Sequence, residues 1–335
     1  MAARVRKRGV DDPEIAEFLG GQQTYVFQTP AWCRVMAALG YEVAYYCLEE
    51  DGRIRLAQQA VRLQLSFFRL LYCGLPYGGP AGETSRAAEF IDLLAPVARG
   101  EGIHRFRLSR NFYDVDLPDL PQCAVQEHVQ QVLHFAGRGE ARVWEDLKPR
   151  VRRDVRLAER RGVVVEDGRD PAARDALFRM YERTMARNEA FVVWKREMIE
   201  RIWELLVEPG QGEMLIARHE GEALAGMVTL YSGKRCFYFL GASSGEKRNL
   251  CPNDAVIWQA IRRAMARGCE DFDFMISSRD DSALIAFKAK WGTTAYPFCF
   301  HERDLSRVAC GLWNVSFRIA RTTVGGRLIR LVRGR

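Results

Sequence analysis

One order of elements is written twice in this chain, and that repetition limits the fold more than any single motif. The stretch "EMLIARHEGEALAGMVTLYSGKRCFYFLGASS" reads as three strands parted by turns at Glu220-Gly221 and Ser232-Gly233. A helix follows from about Asp254 to Arg267, with Pro252 before it and Gly268 after it. "EDFDFMI" then alternates as a strand. Earlier, "VAYYCLEEDGRIRLAQQAVRLQL" gives two strands about Asp51-Gly52, and "FFRLLYCGLPYGGP" gives a third. The helix "SRAAEFIDLLAPVARGEG" ends at Gly102 and the strand "IHRFRLS" follows. Gly52 and Gly102 lie about 50 residues apart, and their counterparts Gly221 and Gly268 about 47. The expectation is an α/β (α+β) protein of two tandem units, each a mixed, mostly antiparallel sheet flanked by helices.

Each unit opens with helical sequence. "TPAWCRVMAALG" has Thr29 as N-cap and Pro30 at the first helical position. Before the second unit come "LKPRVRRDVRLAERRG" and the long helical stretch 171–207. "FAGRGEAR" is a Gly-rich polar joint, which places the boundary near Gly137–Ala141. The predicted division is 1–140, completed by part of 301–335, then 141–300, then a basic tail 305–335 of two short helices about Gly325-Gly326. Asn253 reads as the N-cap of the helix near 254.

At 335 residues and 48% hydrophobic content, the chain has ample apolar material for such cores. It contains no apolar run long enough for a spanning helix. "MAARVRKRGVDDPE" lacks the apolar segment of a secretory signal. Nine cysteines without a CxxC pair read as buried thiols in a reducing compartment, not as a metal set, and predict a cytoplasmic protein. The net charge is +7, and from Leu305 onward there are seven arginines and no acid. "LKPRVRRDVRLAERRGV" carries seven basic residues against Asp154 and Glu159. On a helix, Arg150, Arg153, Arg156 and Arg160 share one ridge. Both clusters suit phosphates, whether of tRNA, of a nucleotide or of an anionic membrane; solvated surface is the plainer alternative.

One residue breaks the apolar pattern. If "LIAFKAKWG" is a helix ending at Gly292, Leu284, Phe287, Lys288 and Trp291 fall on one face, and Lys290 points away. Lys288 then either snorkels past its neighbours to solvent or holds its ammonium in a dry groove. In the second case it can bind a phosphate or a developing oxyanion.

Several stretches resemble one family in their order along the chain. They are "FQTPAW", "YGGP" at 77–80, "WEDLKPRVRRDVRLAERRGV" at 144–163, "GASSGEKRNLCPNDAVIWQAI" at 241–261, "FDFM" at 272–275 and "FKAKWG" at 287–292. Together they resemble the FemABX-type aminoacyltransferases and their relatives, which carry a tandem GNAT (N-acetyltransferase-like) fold, over about residues 25–300. The resemblance implies a transferase that joins an acyl group to an amine. Fem-type members take an amino acid from aminoacyl-tRNA and place it on an amine of a peptidoglycan or lipid-linked precursor at the inner face of the cytoplasmic membrane. Some relatives use acyl-CoA instead, in exopolysaccharide or natural-product pathways. The family lysine of the "FK" pair lies in the substrate channel, and its match here is Lys288, with Phe287 as its packing partner and with Phe287 and Trp291 as substrate-binding candidates.

GNAT enzymes ordinarily cradle the CoA pyrophosphate on the amides of a Gly-rich loop before a helix. The matching loop, "GASSGEKRNLCPNDAV", lacks closely spaced glycines next to the helix, and Pro252 removes an amide. That favours a donor held by side chains, with Arg248 as its anchor, and no cofactor. Asp273 is a candidate acid/base, although strict alternation puts it with Asp271 on a solvated strand face. Tyr238 is a candidate oxyanion donor, and Tyr181 and Arg187 are candidates to line the acceptor channel. His219 reads as a surface residue. No histidine is flanked by a convincing nucleophile, so direct attack by the acceptor amine is expected. A non-catalytic scaffold that binds membrane or RNA through the arginine tail is the alternative outside enzymology.

Overall fold

The computed structural model describes residues 2–22, 24–120, 122–188 and 194–321. The first half runs β1 (Arg4–Arg8), α1 (Pro13–Gly20), α2 (Pro30–Ala38), β2 (Glu42–Glu50), β3 (Arg53–Leu65), β4 (Phe68–Cys73), β5 (Ala81–Gly82), α3 (Ala87–Gly100), β6 (Arg105–Arg110) and β7 (Ala124–His134). The second runs α4 (Glu140–Asp146), α5 (Pro149–Arg160), β8 (Val164–Asp167), α6 (Pro171–Arg187), α7 (Arg196–Ile202), β9 (Gly212–His219), β10 (Glu222–Ser232), β11 (Arg235–Ser243), α8 (Pro252–Ala266), β12 (Asp271–Ser278), α9 (Ser282–Ala289), β13 (Thr294–Asp304) and α10 (Arg307–Arg321).

Local chemistry sets the repeated elements. The β2–β3 turn has φ of 51° at Asp51 and 74° at Gly52; the β9–β10 turn has 52° at Glu220 and 80° at Gly221. Two left-handed central residues match the twist of the flanking strands. The Thr29 hydroxyl caps α2 by accepting from the Trp32 amide at 3.3 Å. α8 begins at Pro252 with Cys251 in the cap position and no side-chain cap, so Asn253 lies inside the first turn and is not the N-cap. The helical stretch 171–207 forms α6 and α7, with a π-helical continuation at Trp203–Val207. The second tail helix expected after Gly325-Gly326 lies outside the described residues.

The strands join into one sheet in the order β1-β2-β3-β4-β6-β13-β7-β12-β11-β10-β9-β8, with β5 on β3. Every pairing is antiparallel except β4 with β6 and β11 with β12, which occupy equivalent places in the two units. The expected joint near Gly137–Ala141 lies in the chain between β7 and α4, but the sheet crosses it. β7 bonds to β12 of the second unit, and β13 returns to lie between β6 and β7.

Helices cover each unit separately, and one shared cluster joins them. α3 covers one face of the first unit with Phe90, Ile91 and Leu94 against Leu48 and Phe106. α5 and α8 cover the second with Val151, Val155, Ile257 and Ile261 against Phe272. A third cluster spans the two units and joins Tyr25, Phe27, Trp32 and Tyr77 to Tyr181, Phe237 and Phe298. Full burial of one such aromatic contributes about 1.5–3 kcal/mol.

Candidate active site

A parallel pair that opens is the frame of the site. β11 and β12 pair only from Arg235 opposite Asp271 to Phe237 opposite Asp273. Beyond that, β12 shifts register against β7 between Asp273 and Ile276, and Met275 takes a φ of 58°. A side chain at that φ costs roughly 1–2 kcal/mol, so the bulge must be held from outside. Two groups hold it. Asp273 Oδ1 accepts the Met275 amide at 2.7 Å, and Lys288 Nζ donates to the carbonyls of Met275 (3.2 Å) and Ile276 (2.9 Å).

Lys288 sits in the last turn of α9, a helix capped by Asp281, whose carboxylate accepts the Leu284 amide at 2.9 Å. It is 4% exposed. Burial pulls its ammonium down to about 8 from the usual 10.5, against the raising charges of Asp273 and Asp281. An ammonium has three N–H donors. Two are on carbonyls, and the third has no partner among the described residues. Trp291, three residues on and 0% exposed, likewise leaves its indole N–H without a partner among the described residues.

Asp273 lies on no solvated face: it is 0% exposed. The first unit covers it, because the Tyr77 hydroxyl donates to Asp273 Oδ2 at 2.6 Å and Gln130 Nε2 to the same oxygen at 2.8 Å. Gln130 is fixed in turn by the Phe112 amide, which donates to its Oε1 at 2.8 Å. Burial raises the Asp273 carboxyl to about 6, while Tyr77, the Met275 amide, Gln130 and Lys288 lower it. Asp273 thus holds the bulge and faces Lys288 as a counter-charge. Asp271, expected beside it, is partly exposed, and the His134 ring lies 2.7 Å from its carboxylate.

The other expected residues are spread wider. Tyr238 stands between the splayed strands, stacked on Phe274 at 23°, and burial pushes its hydroxyl up to about 12. Phe287 is half-buried beside Lys288. Lys290 does not point away: its ammonium bonds to the buried Asp254 and lies over the rings of Phe287 and Trp291. The helix itself stops at Ala289, before Gly292, and Leu284 is exposed. Tyr181 is buried in the core that joins the halves, its hydroxyl accepting from the Trp194 amide at 3.3 Å. Arg187 and Arg248 lie at the far end of β11. Arg187 donates to Ser243 O and Oγ, both at 3.0 Å, and Arg248 to Gly245 O at 3.1 Å. The α5 ridge is divided. Arg150 and Arg153 flank Asp154 and line a surface pocket with Pro149, whereas Arg156 lies over the Trp144 ring. His219 is partly buried next to Glu220.

Residues 146–288 match the acetyltransferase (GNAT) domain family. The lipid II:glycine glycyltransferases of Staphylococcus saprophyticus and Staphylococcus aureus are 34% and 35% identical over 80 residues, which is 22% of this chain and 19% of each of those proteins. The chain therefore matches about a fifth of the length of these curated relatives. The structure of FemX superimposes with a TM-score of 0.68 at 16% identity, over 88% of this chain and 96% of that one. A tandem GNAT protein from the clavulanic acid pathway gives 0.59 at 10% identity, over 91% and 99%. This chain thus carries a GNAT-domain match over residues 146–288 and shares its overall fold with FemX.

In the loop between β11 and α8, three amides are already bonded: Glu246 N to Ser244 Oγ (3.1 Å), Leu250 N to Lys247 O (2.9 Å) and Cys251 N to Arg248 O (3.0 Å). Pro252 has no N–H to offer. The positive end of α8 faces this chain's own Asp254, which is buried and paired with Lys290. Asp154, Cys251 and Asp254 bring three potential metal-ligand atoms within 4.8 Å of one another, with Lys290 and Arg153 as counter-charges. A free pyrophosphate entering here would meet two carboxylates.

Sequence reasoning passed over Tyr77, although it begins the quoted "YGGP". Gln130 carried no signal, since "VQQVLHF" reads only as strand.

Proposed function

We propose that this chain transfers an aminoacyl group from aminoacyl-tRNA to an amine of a peptidoglycan or lipid-linked precursor at the cytoplasmic side of the membrane. The observation that carries the reading is Lys288: a dry ammonium, with one donor free, on the β12 bulge just past where the β11–β12 pairing ends. The acceptor amine attacks the ester carbonyl, and a C–N bond forms as the carbonyl oxygen becomes an oxyanion. Lys288 binds that oxygen. One such donor in a dry site lowers the barrier by about 3–4 kcal/mol. The C–O bond to the tRNA ribose then breaks, the ribose oxygen takes the proton that the attacking nitrogen gives up and leaves as a hydroxyl, and the amide remains. Tyr77, Gln130 and Asp273 act through Lys288 and the bulge as positioning residues.

Two observations support a tRNA donor. Three amides of the β11–α8 loop are internally bonded, Pro252 offers none, and Asp254 occupies the α8 N-terminus. Arg150 and Arg153 on α5 and Arg187 and Arg248 beside β11 offer guanidinium groups to a longer polyphosphate. The test is transfer of labelled amino acid from a charged tRNA pool to a lipid II-type acceptor. Labelled amide product is the expected result. Transfer from acyl-CoA with none from charged tRNA overturns the donor.

A further inference from the structure

The C-terminal helix carries an apolar face that nothing in the transfer reaction uses. α10 is anchored along one side. Trp313 stacks on Phe68 at 11° with centroids 5.0 Å apart, Cys310 Sγ donates to His104 O at 3.2 Å, and Arg105 donates to Asn314 Oδ1 at 3.3 Å. The side opposite holds Val308, Leu312 and Val315 at i, i+4 and i+7, with 74%, 60% and 57% of their surface exposed. Phe67, at the β3–β4 turn, is 49% exposed and meets the edge of Trp313 at 6.1 Å. These four are half of the eight large apolar side chains exposed among the described residues, and α10 and its neighbouring turn gather them.

The charge around the stripe selects its partner. Arg307 is exposed at the start of α10. After Asp304 the sequence contains seven arginines and no acid. An apolar helix face carried by an arginine-rich, acid-free stretch of sequence matches a layer that is anionic at its surface and apolar just below. We infer that α10 and Phe67 form a docking surface for an anionic lipid bilayer, with Val308, Leu312 and Val315 at acyl-chain depth and Arg307 at headgroup level. Nucleic acid offers the charge without the apolar layer. A second copy of this chain would bring the same positive charge against itself.

The inference stands on the exposed helix, not on the transfer reading, and its test needs no substrate. The full chain is floated with vesicles of mixed phosphatidylglycerol and phosphatidylcholine, and with vesicles of phosphatidylcholine alone. The expected result is partition to the mixed vesicles that weakens as salt rises. Leu312→Ser combined with Val315→Ser should reduce partition about tenfold or more, since two apolar side chains leave the layer. Val308→Ser should reduce it less. All three positions are exposed, so thermal melts should match the parent. Three results would overturn the inference: no partition at low salt, partition that the stripe variants leave unchanged, or a concentration-dependent dimer lost in those variants while vesicle binding persists. Vesicle binding without any transfer would leave this surface standing and remove the proposed reaction instead.

Discussion

The two halves place a parallel strand pair at equivalent positions and finish it differently. In the first, β4 and β6 pair from Leu70 opposite Arg105 to Cys73 opposite Leu108, and the loop that follows closes the gap. The Ser109 hydroxyl accepts the Gly78 amide at 3.1 Å and donates to the Gly78 carbonyl at 2.9 Å. Gly74, at φ 76°, must lack a side chain there, since a Cβ would lie 1.9 Å from the Gly78 oxygen. In the second half the pair opens and a lysine props the bulge. The closed unit then lends Tyr77 to the open one. One fold is used once as a wall and once as a mouth.

Removing the prop should have the largest effect. Lys288→Met is expected to cut transfer by about 100- to 1,000-fold, the cost of one oxyanion donor, with the fold intact because a thioether suits a dry site. Lys288→Arg should not rescue it, since a planar fork cannot replace a point charge bonded to two adjacent carbonyls. Steady-state kinetics with circular dichroism on both variants checks this.

The same lysine should show in stability against pH. Its folded value of about 8 lies below its ordinary 10.5. Below pH 8 both states are charged, and the fold carries the cost of burial. Between pH 8 and 10.5 the folded state releases its proton first, so stability rises with pH, by about 1.4 kcal/mol per unit. Asp273 runs the other way: its folded value of about 6 lies above its ordinary 3.8, so stability falls from about pH 4 to pH 6. Denaturation midpoints across pH should show both slopes in the parent. The alkaline slope should flatten in Lys288→Met, and the acid slope in Asp273→Asn.

Cutting the link between the halves should cost less. Tyr77→Phe leaves a buried carboxylate short of one donor, which is worth about 1–3 kcal/mol of stability. Transfer should fall about tenfold, as a positioning loss. Equal stability with full activity would separate the two clefts. Smallest is Ser109→Ala, which loosens only the closed cleft: about 1 kcal/mol of stability, read by urea denaturation, with transfer unchanged.

Much of the frame was legible because its determinants are local. The Asp51-Gly52 and Glu220-Gly221 turns, the stops at Gly102 and Gly268 and the start at Thr29-Pro30 each sit within a few residues of what they determine. Lys288 drew attention because it interrupts its own helix face. What stayed hidden comes from distant chain. Asp273 looked solvated by alternation, but Tyr77, 196 residues away, covers it. Lys290 was expected to point away from the apolar face, yet it bonds to Asp254, 36 residues away. β13 between β6 and β7 is set by antiparallel pairing over long separations, which strand periodicity does not encode.

The central claim is that the second half holds one lysine ammonium out of water, bonded to the carbonyls of the β12 bulge. Carbon-13 NMR of lysine-labelled protein, with Lys288→Met to assign the resonance, measures this without any substrate. The account predicts a titration midpoint for Lys288 of about 8. A midpoint at the ordinary lysine value of 10.5 would contradict it.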